Sequence, residues 1–248
     1  MEGSLEHARA RLVEKLVKGE EELRARRAGW TTLSSIARLK IDPESRASSG
    51  VTNGAAIRAL PIGLAVPFSM AEKLLEAVVE LSSVTHGGAE AMAAASAIAH
   101  AASKALEHED SVEDVVEAGV AGARRLSVKL ARLIDAAVDL AEEVEARFLP
   151  DELPRRVGVS SPSWESVPAA FCVFKASRGE LRTALALAVG AGGDTDSVAA
   201  MAAGLCGALK GPSTIPEGWL LRVEGLNLRE LAERLVEVRG RLKQGGWA

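Results

Sequence analysis

Several residue types are rare or missing in this 248-residue chain. It contains no tyrosine, and only 3% of its residues are aromatic. The only two cysteines, Cys172 and Cys206, lie far apart among small apolar residues. Zinc sites and disulfide frameworks show clustered or characteristically spaced cysteines, so neither is indicated here. We therefore expect two buried thiols in a reducing compartment.

The chain also lacks an excess of basic charge and a long apolar run. Lysine plus arginine number 30 against 34 acidic residues, giving a net charge of −4. No segment has the basic density that a nucleic-acid backbone requires, so nucleic acid is not an expected partner. The charged residues 1–11 do not fit a signal peptide, and the charge-free runs fall short of the roughly 18 to 20 residues of a membrane span. We expect a cytoplasmic protein with no membrane segment.

The composition that remains is that of a folded protein. Hydrophobic residues make up 48% of the chain and charged residues 26%, enough to bury a sizeable core. The loosest stretch, 29–54, lies between apolar helical segments, which argues against a linker there. We therefore predict a single domain covering residues 1–248.

Apolar residues recur at helical spacing along most of the sequence, and no alternating β pattern runs long enough to compete. Helices are predicted at 4–27, 34–39, 70–82, 88–106, 167–177, 180–189, 197–209 and 228–242. A further helix starts after the N-cap Ser111 and runs toward residue 148, with an interruption near Gly119 or Gly122. The prolines at 150 and 154 are expected to stop it. The predicted fold class is all-α.

The most informative motif precedes the helix at 197–209. Gly192 and Gly193 permit a sharp turn, after which Asp194, Asp196 and Ser197 can converge on one point. Such hard oxygen donors suit Mg²⁺ or Mn²⁺. The same residues also fit an ordinary aspartate N-cap with a second carboxylate favoured by the helix dipole.

Three segments together resemble a known family. The motif Gly192-Gly193-Asp194-Thr195-Asp196-Ser197, continued by Gly204, Gly207, Ala208, Gly211, Ile215, Pro216 and Trp219, resembles the carboxyl-terminal signature of the ADP-ribosylglycohydrolases. Residues 49–58 with Pro61 are similar to that family's Gly-Asn-Gly and Met-Arg loop, and Thr85-His86 to its Thr-His element. The resemblance implies a multi-helix bundle and a hydrolase that cleaves the glycosidic bond between ADP-ribose and a modified side chain.

The resemblance also assigns roles to residues. It implies metal ligands at Asp194, Asp196 and Ser197, and it implies ADP-ribose contacts at Ser49, Gly50, Asn53, Gly54, His86, Gly192 and Gly193. The expected cofactor is Mg²⁺ or Mn²⁺, as one ion or two, and the expected partner is ADP-ribose or an ADP-ribosylated protein. Taken alone, His86 also fits a core or surface histidine, Arg58 an arginine paired with a carboxylate, and Trp219 a packed indole.

The sequence departs from the family at its start. The family's Gly-Asp-rich first helix and Thr-Asp-Asp-Thr turn, which supply a catalytic carboxylate and the remaining metal ligands, are absent, and Asp42 is the only aspartate in the first fifty residues. Two cations about 3.5–4 Å apart repel strongly unless more carboxylates neutralise them. Smaller departures are Thr52 in place of a glycine and Ile57 in place of a methionine.

Three functions therefore remain open, and no catalytic residue is assigned. The first is a hydrolase whose missing carboxylates come from a partner chain, from a separately encoded upstream piece, or from residues encoded upstream of a misassigned start codon. The second is a non-catalytic protein that binds ADP-ribose or a related nucleotide through the Asn53 loop and His86. The third is a helical scaffold that uses only the fold.

Overall fold

The computed structural model describes residues 4–107, 111–223 and 227–245. Within those ranges the chain forms helices joined by loops and no β-strand, apart from an isolated bridge between Thr52 and Pro162. The all-α prediction is confirmed.

The helices are given in chain order. The first seven are α1 Leu5–Lys18, α2 Glu20–Ala25, α3 Trp30–Ile41, α4 Gly54–Ala65, α5 Ala71–Ser82, α6 Ala89–Ala105 and α7 Val112–Arg124. The next seven are α8 Val128–Glu143, α9 Leu149–Arg156, α10 Ser163–Ala176, α11 Leu181–Gly190, α12 Thr195–Lys210, α13 Glu217–Leu220 and α14 Leu228–Gly245. Three short 3₁₀ turns lie at Phe68–Met70, Ala146–Phe148 and Pro212–Thr214.

Helix α6 is the centre of the core. Its sequence is mostly alanine, and all but a few of its residues are buried, as expected for a helix that is apolar on every side. It packs against α4, α5, α7, α8, α10 and α12. A Cβ placed on Gly63 of α4 would lie 2.2 Å from the Ala99 carbonyl oxygen, so glycine allows these two backbones to touch.

Helix α10 is the second buried helix and supplies the largest side chains of the core, Phe171 and Phe174. The glycine at 119 accommodates the Phe171 ring, because a Cβ there would lie 2.4 Å from its Cζ atom. Burial raises the pKa of Cys172 to about 12 and that of Cys206 to about 11, so both thiols are protonated at neutral pH. The expectation of two buried, unpaired thiols is confirmed.

Several helix boundaries differ from the sequence predictions. The helix predicted over 4–27 is broken at Gly19, and the one predicted from Ser111 divides after Arg124. It divides there because the Ser127 hydroxyl accepts a hydrogen bond from the Leu130 N–H and caps a new helix, α8. Gly119 and Gly122, the expected points of interruption, instead make room for neighbouring aromatic rings.

The prediction that prolines end the chain's long central helix was wrong. Pro150 and Pro154 both lie inside α9. Pro150 occupies its first turn, where no backbone N–H is needed. Pro154 is exposed, so water can solvate the carbonyl group of residue 150 that its missing N–H leaves without a donor.

No single helix among the described residues is both long and apolar enough to cross a membrane. The segments Gly54–Ala65 and Phe68–Ser82 satisfy those criteria only when taken together, and they are bent by 112° relative to each other.

Candidate functional site

The site is built around the loop of residues 47–53, here called the site loop, which precedes α4. Its backbone is held by the segment that follows α5: the Gly87 N–H donates to the Ser49 carbonyl at 2.8 Å, and the Gly88 N–H to the Gly50 carbonyl at 3.2 Å. A Cβ on Gly87 would lie 1.9 Å from the Ala47 carbonyl oxygen. The glycine pair directly after His86 therefore lets the two loops lie against each other.

The end of the site loop pairs with the segment before α10. The Asn53 N–H donates to the Ser161 carbonyl at 3.0 Å, and the Ser163 N–H donates to the Val51 carbonyl at 2.8 Å. These two bonds flank the isolated bridge between Thr52 and Pro162. They fix the position of Asn53 at the start of α4.

The same segment holds the start of α12. The Asp194 N–H donates to the Val159 carbonyl at 2.7 Å. Gly193 has φ = +70°, a conformation that favours glycine. A Cβ there would also lie 2.4 Å from the Val159 carbonyl oxygen, so both the backbone conformation and the lack of space exclude a side chain at this position. Residues 159–163 thus bring the site loop and the aspartate motif to one place.

A hydrogen bond joins the two predicted site segments directly. The Asn53 amide Nδ2 donates to the Asp194 carboxylate Oδ2 at 2.7 Å. Burial acts to raise the pKa of Asp194, but hydrogen bonds with Asn53, Asp196 and Ser197 outweigh it and lower the pKa overall. Asp194 is therefore an ionised carboxylate, and the side-chain Oδ1 of Asn53 accepts no hydrogen bond from the described residues.

The donor set around Asp194 fits one hard cation better than two. Asp196 is exposed, Asp194 is partly buried, and Ser197 is buried with its side chain hydrogen-bonded to Asp194, so two carboxylates and a hydroxyl lie together at the start of α12. Mg²⁺ accepts such a partial set because it keeps several of its waters. No group of three or more acidic, histidine or cysteine side chains in the described part of the chain is arranged to hold a metal. Those residues alone do not assemble a two-metal centre.

His86 lies beneath the site loop, fully buried, with both ring nitrogens occupied. Nε2 is 2.9 Å from the Thr52 hydroxyl, and Nδ1 is 2.8 Å from the Thr85 hydroxyl. Because the Thr52 hydroxyl donates toward Thr31 at 3.4 Å, we assign the imidazole proton to Nε2, which donates to Thr52. The hydrogen bonds of His86 to Thr52 and Thr85 hold the site loop against the end of α5. A contact between His86 and a ligand stays a prediction.

Arg58 completes this buried chain of hydrogen bonds. Its Nη2 donates to the Thr85 hydroxyl at 2.6 Å, and it forms no ion pair with any carboxylate of the described residues, contrary to the pairing expected of a structural arginine. Burial lowers its pKa to about 10, so it stays charged. Burial, followed by the nearby Arg58 charge, lowers the pKa of His86 to about 4. The histidine is therefore neutral at physiological pH.

The first turn of α4 presents unused backbone donors beside Asn53. Asn53 makes no side-chain capping bond, and the N–H groups of Gly54, Ala55 and Ala56 donate to no described residue. Of these three residues Gly54 is partly exposed, whereas Ala55 and Ala56 are buried. Such N–H groups at a helix start, together with the helix dipole, favour an anion. Gly54 packs closely on the His86 ring, because a Cβ there would lie 3.1 Å from the ring atom Cε1.

The remaining predicted residues fall around this centre. Gly192 has φ = +74° and open space where a Cβ would be, and Ser49 and Gly50 lie on the far part of the site loop.

Trp219, expected to be packed, is 42% exposed, with the Arg182 guanidinium 5.7 Å from its ring centre. Sequence reasoning missed residues 159–163, whose only signal is a Ser/Pro-rich stretch before a helix.

Comparison with known proteins agrees with this architecture. A model of the family described as ADP-ribosylglycohydrolase matches residues 2–244. The chain belongs to the ADP-ribosylglycohydrolase family. Family membership supports a hydrolase at that coarse level. Among solved structures, one named an ADP-ribosylglycohydrolase-related protein complex superposes with a TM-score of 0.66 at 24% identity, over 96% of this chain and 81% of that one. That likeness shows the shared fold.

Two curated proteins are similar to this chain in sequence. The uncharacterised protein YegU of Escherichia coli is 30% identical over 190 residues, or 73% of this chain. An uncharacterised protein of Archaeoglobus fulgidus is 38% identical over 188 residues, or 74% of this chain. In each case the match covers 56% of the relative, so the chain spans about half the length of the curated relatives it matches.

Proposed function

We propose that this chain binds ADP-ribose between the site loop and the start of α12, and that it takes part in metal-assisted cleavage of the glycosidic bond between ADP-ribose and a modified side chain. The observation that carries the proposal is the hydrogen bond between Asn53 and Asp194, which are 141 residues apart in sequence. It joins the segment proposed to bind the ligand with the segment proposed to bind the metal.

The start of α4 is the part of the surface that we propose binds the diphosphate of the ligand. Gly54 is partly exposed and offers a backbone N–H that donates to no described residue, with no side chain to block an approaching ligand. The side-chain Oδ1 of Asn53, next to this N–H, is an acceptor suited to a ribose hydroxyl. A diphosphate and an adjoining ribose therefore match the donors and acceptors of this surface.

Asp194, Asp196 and Ser197 would hold a Mg²⁺ or Mn²⁺ ion at the start of α12. When bound, such an ion supplies positive charge that orients ribose oxygens and activates a water molecule. The lowered pKa of Asp194 keeps its carboxylate ionised without the ion, and Asn53 fixes the carboxylate's orientation. The carboxylate that would act as the general base is not assigned to any residue, so a partner chain or a further segment would have to supply it.

A second candidate is a protein that binds ADP-ribose without cleaving it. It is favoured by the small number of carboxylates at the site, because only Asp194 and Asp196 approach it from the aspartate motif. It shares the ligand surface of the first candidate and differs only in turnover. Release of free ADP-ribose from an ADP-ribosylated protein therefore separates the two.

The ligand surface is tested by calorimetric titration of ADP-ribose into Asn53→Ala and Asn227→Ala, the latter an asparagine in the loop before α14. Removing the Asn53 amide deletes the bond to Asp194 and the ribose acceptor, so we expect at least about tenfold weaker binding, the size of one lost charge-assisted hydrogen bond. Asn227→Ala should bind like the parent chain. Equal affinity of both variants would remove the basis of the proposal.

The metal part is tested in the same way with Asp194→Asn, matched by Asp151→Asn on the exposed face of α9. Asparagine keeps the shape and removes the charge, so the Mg²⁺-dependent part of ADP-ribose binding should disappear in Asp194→Asn alone. If Asp194→Asn and Asp151→Asn respond equally to Mg²⁺, the cation does not bind at the start of α12. Turnover by the parent chain supports the hydrolase, and binding without turnover supports the second candidate.

A further inference from the structure

A large cleft lies at the other end of α10 from the candidate site. It has a volume of about 730 Å³ and is formed where α7 begins and where α8 and α10 end. Its charged lining residues are of both signs, and it is here called the mixed-charge cleft. Lys175 of the cleft follows Ser163 by 12 residues, so about 18 Å of helix separates it from the segment 159–163, at a rise of about 1.5 Å per residue. The cleft is therefore remote from the Asn53 and Asp194 surface.

Lys175 holds two carboxylates at one side of the cleft. Its Nζ donates to Glu113 Oε1 at 2.7 Å and lies 3.0 Å from Glu142 Oε1. The hydrogen bond with Glu113 is the largest of the effects that raise the pKa of Lys175, so its ammonium group is charged. Two carboxylates share one ammonium, which leaves an excess of negative charge. Both carboxylates are about two-thirds exposed and can accept further hydrogen bonds, at 67% for Glu113 and 64% for Glu142.

Arg178 supplies the opposite charge to the same cleft. It lies just after α10, is exposed, and its guanidinium has no ion pair or hydrogen bond with any described residue. Glu145 also lines the cleft, but its carboxylate is paired with Arg147, 3.0 Å away and outside the lining. A guanidinium can donate two parallel hydrogen bonds to one carboxylate. Arg178 is therefore available for the carboxylate of a ligand.

The uncharged part of the lining is apolar. Its residues are Val112, Ala141, Val144, Ala146 and Ala176. These small aliphatic side chains suit an aliphatic group of similar size, and they leave the charged side chains to fix the orientation of a ligand.

We propose that the mixed-charge cleft binds a zwitterion of the amino-acid type, a free amino acid or a short peptide, with an aliphatic side chain. The ligand carboxylate pairs with Arg178, and the ligand ammonium donates to Glu113 and Glu142. The carboxylates of the lining disfavour a ligand that is only anionic, and Lys175 and Arg178 disfavour one that is only cationic. This site does not depend on ADP-ribose binding elsewhere in the chain.

The test is a calorimetric titration of leucine and of leucyl-leucine into the full chain at low salt, each compared with its N-acetylated and its carboxyl-amidated form. We expect a zwitterion to bind, and both of its blocked forms to bind at least about tenfold more weakly, because each has lost one charge-assisted contact. Tighter binding of leucine assigns the cleft to free amino acids, and tighter binding of leucyl-leucine assigns it to peptides. No binding of either zwitterion, or equal binding of the blocked forms, would overturn the proposal.

Two matched glycine variants test the arginine. Arg27 and Arg178 are the two described residues other than glycine with positive φ, at +58° and +53°, and both are exposed. Glycine adopts this conformation without strain, so both variants should melt no lower than the parent chain. Zwitterion binding should fall at least about tenfold in Arg178→Gly and stay unchanged in Arg27→Gly. Equal affinity of these two variants would contradict the role of Arg178.

A second matched pair tests the ammonium end of the ligand. Glu142→Gln leaves Lys175 paired with Glu113 alone, so the excess negative charge is lost and binding should weaken at least about fivefold. Glu117→Gln, on the exposed face of α7, should bind like the parent chain. Asn53→Ala should bind the zwitterion unchanged as well, which separates this site from the ADP-ribose proposal. If Glu142→Gln binds as tightly as Glu117→Gln, the ligand ammonium does not lie at Glu142 and the proposed orientation is wrong.

Discussion

Thr52 stands where the family has a glycine, and its hydroxyl is bonded to the buried imidazole of His86. The bond is the last step in a chain that starts at the Arg58 guanidinium and passes through Thr85. Every group in this chain is a donor to the next, so the loss of one leaves a buried polar atom unsatisfied. The threonine therefore replaces the freedom of a glycine with a fixed attachment for the site loop.

Thr52→Val should reveal that attachment, because valine keeps the shape of threonine and removes the hydroxyl. The Nε2 proton of His86 then has no acceptor, which should cost about 1–3 kcal/mol of folding free energy, the usual penalty for a buried unsatisfied group. Thr52→Ser, which keeps the hydroxyl, should recover most of the loss. Urea unfolding of the two variants measures the difference. Equal stability would mean that the hydroxyl contributes nothing.

The stability of the chain should also depend on the protonation of His86. Its folded pKa is about 4 against an ordinary value of 6.5, so the unfolded chain binds more protons between these two values. The contribution of neutral His86 is complete above pH 6.5 and is lost as the pH falls toward 4.

Urea unfolding at pH 7 and pH 5 tests this dependence in His86→Gln, which cannot titrate. The parent chain should lose more stability between these pH values than His86→Gln does. His7→Gln, a change at an exposed histidine of α1, should follow the parent chain. If His86→Gln loses as much as the parent chain, the buried imidazole is not the source of the pH dependence.

At the scale of helices, the packing of small residues decides how closely the core can assemble. Glycine at 63 lets α4 touch α6, and glycine at 204 of α12 leaves room for Leu60, since a Cβ there would lie 2.4 Å from a Leu60 methyl carbon. The same contacts position the site, because Asn53 directly precedes α4 and Asp194 directly precedes α12. A shift of either helix along its axis would separate the two side chains.

Gly63→Ala should therefore destabilise the chain despite alanine's better helix propensity. The added methyl group would clash with the Ala99 carbonyl oxygen and should cost about 1–3 kcal/mol, as overpacked cores do. Gly240→Ala, in α14 with open space around it, should instead gain about 0.5–1 kcal/mol from helix propensity. Thermal or urea unfolding gives the sign of each effect. A stabilised Gly63→Ala would contradict the close contact of α4 and α6.

The sequence predicts the existence of most helices and only some of their ends. Apolar spacing identifies α5, α6, α11 and α12 within a few residues, because burial on one or all sides imposes that spacing. It does not show the break at Gly19 or the cap at Ser127, where local hydrogen bonds compete with continued helix. It also overestimates the helix-breaking effect of Pro150 and Pro154, because proline is tolerated in the first turn of a helix and on an exposed helix face.

Part of the site is similarly beyond sequence reasoning. The turn at Gly192 and Gly193 and the cluster of Asp194 with Ser197 follow from local sequence. The bond from Asn53 to Asp194 depends on residues far apart in the chain, and no local pattern indicates that contact. The occupation of both His86 ring nitrogens depends equally on tertiary packing.

At the scale of the whole molecule, family membership favours a hydrolase, whereas the small number of carboxylates at the site favours a protein that binds without turnover. The family model covers residues 2–244, yet the match to each curated relative covers 56% of that relative. The ligand surface at Asn53 and the motif at Asp194 are present, whereas the family's first acidic motifs are absent from this sequence. We therefore propose that the described residues suffice for ADP-ribose binding and that turnover would need a further carboxylate.

The most direct measurement is a calorimetric titration of ADP-ribose into the chain with millimolar Mg²⁺, repeated after chelation. If Asn53 and the start of α12 form one site, ADP-ribose should bind in Mg²⁺ and bind more weakly once the cation is removed, because the ion neutralises Asp194 and Asp196 beside the diphosphate. No detectable binding in either condition would contradict the proposed site and leave the helical bundle as a scaffold.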